Sequence, residues 1–220
     1  MANYEECLEQ RIERAYQASG NQIGWRLLYS PQTVLKGARV ALIGLNPGGH
    51  FDDPEHARFA MSSGSAYINE SWAGARPGTS PLQQQVCELF RLLDVPVVEV
   101  LAGNLVPFRS PNWPSLNNRK SALEFGYTIW REMLERAKPS VVVSMGKDAN
   151  PLVRQLLDVV SVESHSVNWG PQRLHVGNWH GGKWLGLPHL SQYKIMRRPE
   201  SRPALMWALE RMDLYRASGK

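Results

Sequence analysis

Cysteine is almost missing from this 220-residue chain: only Cys7 and Cys87 occur. Two thiols cannot build a four-cysteine zinc or iron–sulfur site or a disulfide framework, so a reducing cytoplasm is the expected setting. No apolar run reaches the roughly 20 residues needed to cross a bilayer. The first residues, Met1 to Gln17, mix charges with Leu8, Ile12 and Tyr16 at helical spacing, which argues against a signal or transit peptide. Internal repeats, low-complexity tracts and an obvious linker are also missing. One domain is therefore expected over 1–220, with a helical N-terminal cap at 1–38, a core at 39–195 and a C-terminal helix at 196–220.

What is present suits a protein with one sizeable core. Hydrophobic residues make up 43% of the chain and charged residues 20%, an ordinary globular balance. The net charge is +5, and 18 of the 25 basic residues are arginine, whose planar fork matches phosphate oxygens. This composition permits a polyanionic partner without demonstrating one.

The periodicities alternate between strand and helix. Apolar runs at 39–45, Val97–Val106, Ser140–Met145 and Lys183–Pro188 read as core strands, with shorter β segments near 159–166 and 172–177. Helices are expected at 80–93, where Thr79 or Ser80 caps and Pro81 occupies the first turn, and at Arg119–Ala137. Another opens at Asn150–Pro151 with Asn150 as its cap, and a last one covers about 200–217. Between them, 46–79 is a long loop rich in Gly, Ser, Asp and Pro, with a short helix expected at Pro54–Ala60 capped by Asp52, Asp53 or Glu55. Loops of that length commonly line a functional site. The alternation predicts a three-layer α/β/α sandwich around a mainly parallel, four-stranded central sheet.

The first strand ends in Gly44-Leu45-Asn46-Pro47-Gly48-Gly49. Pro47 pushes Asn46 out of the helical region, and the glycines permit a sharp reversal. A rigid amide thus stands at the carboxyl end of a strand, where open α/β sheets place their chemistry. Asn104 ends the second strand in Ala102-Gly103-Asn104-Leu105, and His189 follows the last in Leu187-Pro188-His189-Leu190-Ser191. Parallel strands would bring all three polar side chains to one rim.

In these motifs, and in Lys138–Lys147, the chain resembles the uracil-DNA glycosylase superfamily over about 39–195. The Asn-Pro-Gly variant is most similar to its mismatch-specific and single-strand-selective branches. Two features depart from the family pattern: Leu190 follows His189 where a proline is usual, and 156–184 does not align.

The resemblance implies a monofunctional DNA glycosylase that hydrolyses the bond to uracil or a modified pyrimidine and leaves an abasic site, in base-excision repair or in defence against modified phage DNA. Catalysis is expected from Asn46, orienting water, and His189, donating to the leaving oxygen. Asn104 would read the base within a pocket formed with Gly44, Leu45, Pro47 and Gly48. Phe59, 13 residues beyond Asn46, would stack on the base, with His50, Phe51, Tyr67 and Trp72 as other candidates in the same loop.

Excision requires the nucleotide to leave the stack. Leu190 is expected to wedge into the vacated position, or Tyr193 in its stead, while Ser191 and Gln192 hold flanking phosphates. Lys194, Arg197, Arg198, Arg202, Lys147 and Arg109 are further backbone candidates. Where the strictly uracil-specific branch carries a tyrosine that blocks carbon five, this chain has Gly48, so a 5-substituted pyrimidine is expected to fit.

No cofactor or metal is expected, since the spacings of Glu163, His165, His175 and His180 match no ligand signature. Nor does a lysine stand beside the motifs as a Schiff-base nucleophile. The resemblance implies single- or double-stranded DNA containing uracil or a modified pyrimidine as the partner, and the protein is expected to be a monomer with no membrane association. A non-catalytic nucleic-acid-binding relative and a hydrolase of free nucleosides or nucleotides remain as alternatives.

Overall fold

The computed structural model describes residues 4–214. Its centre is a sheet of strands β1 (Val40–Gly44), β2 (Leu101–Asn104), β3 (Val141–Met145), β4 (Val160–Ser166), β5 (Arg173–Trp179) and β6 (Gly182–Leu187) in the order β2-β1-β3-β6-β5-β4. β2, β1, β3 and β6 run parallel, as the alternating pattern predicts. The expected count of four falls short. β5 pairs antiparallel with β6 and β4 antiparallel with β5, giving a six-stranded mixed sheet. The added strands are the segments near 159–166 and 172–177, whose half-exposed, His- and Trp-rich pattern lacks the continuous apolar run of a buried parallel strand.

Side chains alternate across β1 and sort two cores. Ala41 and Ile43 face a layer containing α1 (Tyr4–Ser19), α4 (Arg119–Ala137) and α5 (Ala149–Leu157), represented by Leu8, Ile12, Trp130, Met133 and Val153. Val40 and Leu42 face α2 (Ala66–Asn69), α3 (Pro81–Leu92) and α6 (Arg202–Arg211) through Tyr67, Val86, Leu89, Ala204 and Ala208. Each strand of the parallel core is thereby buried on both faces, which explains its unbroken hydrophobicity.

Local chemistry sets the helix starts. Ser80 and Gln83 form a reciprocal capping box on α3, with Pro81 at the first turn. α5 instead begins at Ala149 after Asp148, and Asn150 is not its cap. The Asn150 amide is drawn inward, donating to the Leu187 carbonyl and accepting from Ser144 Oγ. No helix forms at 54–60; Asp52 pairs with Arg58, and Asp53 with His56 and Arg109, so these acids brace the loop. Val97–Glu99 is a 3₁₀ turn and β2 begins only at Leu101. α6 ends at Arg211, short of the expected 217, and residues 1–3 and 215–220 lie outside the described residues. Among those described, no helix is long and apolar enough to cross a membrane.

Candidate active site

β1 and β2 end side by side, with Gly44 opposite Asn104 in the ladder. Beyond that pair the chain keeps its register: Leu105 and Val106 donate to the carbonyls of Gly44 and Leu45, and Ser110 to that of Pro47. The Asn-Pro-Gly turn is therefore clamped along 105–110.

That clamp decides which way Asn46 faces. Its Nδ2 donates to Ser110 Oγ at 2.8 Å and to the carbonyls of Pro47 and Phe108 at 3.2 and 3.4 Å. Carbonyls only accept, so the nitrogen is fixed on this side. Oδ1 receives no hydrogen bond among the described residues and is left to orient a water. Ser110 passes its own hydroxyl hydrogen to Asn112, which completes the brace.

Asn104 is buried, and its Nδ2 donates to the Tyr29 hydroxyl at 2.8 Å. Its main-chain carbonyl accepts from the Trp130 indole. A Cβ on Gly44 would stand 2.4 Å from Asn104 Oδ1, so glycine is required there for the amide to lie across the strand end. At Gly48 the opposite holds: a Cβ would meet nothing within 4 Å. Gly49 is the backbone-constrained member of the pair, at φ +126° and close to Arg109, which grips the Gly48 carbonyl.

Tyr29 is the residue that motif spacing misses. Its ring lies under the Arg26 guanidinium, 4.4 Å away, and against Tyr67 and Trp72. Arg26 forms a buried two-pronged pair with Glu70, which also accepts from Trp72. Burial alone would raise the Glu70 carboxyl, but hydrogen bonds from Arg26 and Trp72 outweigh it and hold the group below its usual range. No signal short of the fold could link position 29 to position 104.

On the other flank, His189 follows β6. The Ser191 backbone N–H points at its Nδ1 (3.3 Å) and the Ser191 hydroxyl lies 2.7 Å from the same atom. A backbone N–H can only donate, so Nδ1 accepts and the neutral ring carries its proton on Nε2. Burial pushes the imidazole below its usual pKa and favours that neutral form. The ring packs beside Gly146, where a Cβ would approach Cδ2 to 3.3 Å. Below it, Trp184, Ser144, Asn150 and the Leu187 carbonyl are joined by hydrogen bonds into a rigid floor.

A cleft of about 390 Å³ opens here, walled by Leu45, Gly146, Lys147, His175, His189 and Gln192 among others. Lys147, expected as a backbone contact, thus lines the same cleft as His189.

Several expected roles need correction. Leu190 is wholly buried in the core with Leu187 and Ile195, so its side chain offers no exposed wedge. Ser191, Gln192 and Lys194 are exposed, while Tyr193 is half-buried against Trp169. Phe59 is only 9% exposed and packs in the α1–α4 core, so it presents no open ring; Tyr67 is likewise buried. The open rings of that loop are those of His50 and Phe51, the latter 81% exposed, while Trp72 is half-buried. Arg197 is engaged by Gln84 and Glu88 of α3, and Arg198 covers the Trp169 ring.

Comparison with known families decides the relationship. The model of the uracil DNA glycosylase superfamily matches residues 31–211. The chain belongs to this superfamily. No curated protein matches it closely enough to count as a relative.

Proposed function

We propose that this superfamily member is a DNA glycosylase that hydrolyses the N-glycosidic bond of uracil or a 5-substituted pyrimidine and leaves an abasic site. The observation that carries the reading is the complementary poise of two groups at one sheet edge. Asn46 has its amide nitrogen anchored and its oxygen free, and His189 is a neutral ring with its proton on Nε2.

Breaking the bond between C1′ and N1 leaves its electron pair on the base and a cationic, oxocarbenium-like sugar. His189 Nε2–H donates to the pyrimidine oxygen beside N1 as negative charge gathers there, a contact that strengthens toward the transition state. Asn46 Oδ1 accepts a hydrogen from a water whose oxygen bonds to C1′, and the water's surplus proton passes to solvent or to the departing base. An amide is a weak base, which suffices once the sugar is already electron-poor. Asn104 supplies a donor and an acceptor to the imide edge, with Gly44 and Leu45 backing the ring. Gly48 leaves space for a substituent at carbon five.

The test is incubation of the pure protein with labelled oligonucleotides carrying uracil, mismatched thymine, or 5-hydroxymethyl and glucosylated pyrimidines, followed by alkali. The expected result is an alkali-labile product from one of these bases, reduced by at least a hundredfold in Asn46→Ala and in His189→Ala. Absence of product from every base would overturn the reading in favour of a binding module. A product already nicked before alkali, and lost in Lys147→Gln, would replace the monofunctional mechanism with attack by that lysine.

A further inference from the structure

The antiparallel pair β4–β5 supplies none of Asn46, Asn104 and His189, yet β5 walls the cleft that His189 lines. Arg173 and His175 line it from that strand, together with Lys147 and Gln192. The cations here are uncompensated. Among the described residues Lys147 and Arg173 of the wall, and Arg154 near His175, form no ion pair, and Asp148 is the lone carboxylate of the wall. Arg173 is held in place by hydrogen bonds from Nε and one terminal nitrogen to Ser164 of β4, which leaves its other terminal nitrogen unengaged. Burial, then Arg154 and Arg173, push the His175 imidazole below its usual range, as expected where positive charge is not neutralised.

The order of strands says what such a wall would meet. If Asn104 on β2 reads the imide edge and His189 after β6 contacts the oxygen beside N1, the base lies across the strand ends with its sugar on the β6 side. The next strand in that direction is β5. We propose that Lys147, Arg173 and His175 form a subsite for a backbone phosphodiester flanking the excised nucleotide, and that the β4–β5 hairpin exists in this chain to supply it. The proposal rests on the glycosylase reading for the direction of the strand. Arg173 supplies the charged donor, Lys147 a point charge in the same cleft, and His175 a ring N–H that an anion would favour.

The experiment measures binding of an oligonucleotide carrying an uncleavable 2′-fluoro analogue of the target nucleotide, by anisotropy across a salt series. The parent is compared with Arg173→Gln, Lys147→Gln and, as a control at the opposite end of the strands, Lys36→Gln. Each cleft substitution is expected to weaken binding several-fold near 0.1 M salt and reduce the slope of log Kd against log salt by about 0.7–0.9, the value for one lost phosphate contact; Lys36→Gln should not. Methylphosphonate placed at successive linkages should find one flanking position that weakens the parent but has no further effect in Arg173→Gln. A parental slope and parental methylphosphonate pattern in Arg173→Gln, with excision by the parent intact, would overturn the subsite alone. A parent that neither excises nor binds would overturn both readings.

Discussion

The two flanks of the rim are built on opposite principles. On the β1–β2 flank each amide is buried or half-buried and gives its nitrogen to a protein acceptor: Asn46 to Ser110, Asn104 to Tyr29. On the β6–β5 flank the cations are exposed and, among the described residues, without an ion pair, with Lys147 and Arg173 lining an open cleft. On the proposed reading, the difference follows what each flank would recognise. Discriminating one base from another by hydrogen bonds requires groups whose orientation is set before binding, since a loose amide can rotate to suit the wrong edge. Holding a phosphate needs charge more than orientation, and charge works from a solvated surface.

The comparison breaks most visibly at two glycines of one motif. Gly44→Ala puts a Cβ 2.4 Å from Asn104 Oδ1, inside any tolerable contact, so the amide must swing away. Excision should fall by about a hundredfold, the usual consequence of a misplacement near an ångström. Gly48→Tyr enters open space and should keep the parental melting temperature. Its effect belongs to specificity: acceptance of a 5-substituted pyrimidine relative to uracil should drop at least tenfold. Equal discrimination in parent and Gly48→Tyr would remove Gly48 as the selector.

A smaller effect is expected from loosening the anchors without touching the amides. Tyr29→Phe removes the acceptor 2.8 Å from Asn104 Nδ2, and Ser110→Ala the one 2.8 Å from Asn46 Nδ2. One hydrogen bond contributes about 1 kcal/mol, so each should lower kcat/KM roughly fivefold. The two should differ in kind. Tyr29→Phe should narrow the preference for uracil over cytosine, whereas Ser110→Ala should slow excision of every accepted base alike. Identical behaviour of the two variants would mean that Tyr29 only fills space.

The same contrast explains what the sequence made legible. Buried parallel strands carry unbroken apolar runs and end in polar residues, so β1, β2, β3 and β6 and the rim positions 46, 104 and 189 could be read directly. The edge pair β4–β5 is half-exposed, and its burial pattern resembles any surface segment; its strands could be suspected but not placed in the sheet. Tyr29 and Ser110 act across 75 and 64 residues of chain, a separation that carries no local signal. Leu190 shows the reverse hazard. Its place in the motif suggests a wedge, but an apolar side chain beside the core strand packs where it buries most surface.

The smallest expected effect concerns the proton on His189. Burial lowers its pKa from the ordinary 6.5, and the Ser191 N–H and hydroxyl at Nδ1 both suit the neutral ring. Protonation requires Nδ1 to gain a hydrogen where it now accepts one, so the acid limb of excision should lie below the ordinary imidazole range. Stability carries the same sign. The unfolded chain takes the proton first, so the neutral ring's contribution is complete above the ordinary pKa and declines as pH falls through the folded one. Ser191→Ala removes the hydroxyl donor and keeps the backbone N–H, which should move the acid limb upward by a few tenths of a pH unit, toward the free imidazole. Excision that instead rises as pH falls through the imidazole range, and is lost on its alkaline side, would make the working donor an imidazolium. The tautomer that joins this flank to the mechanism would then play no part.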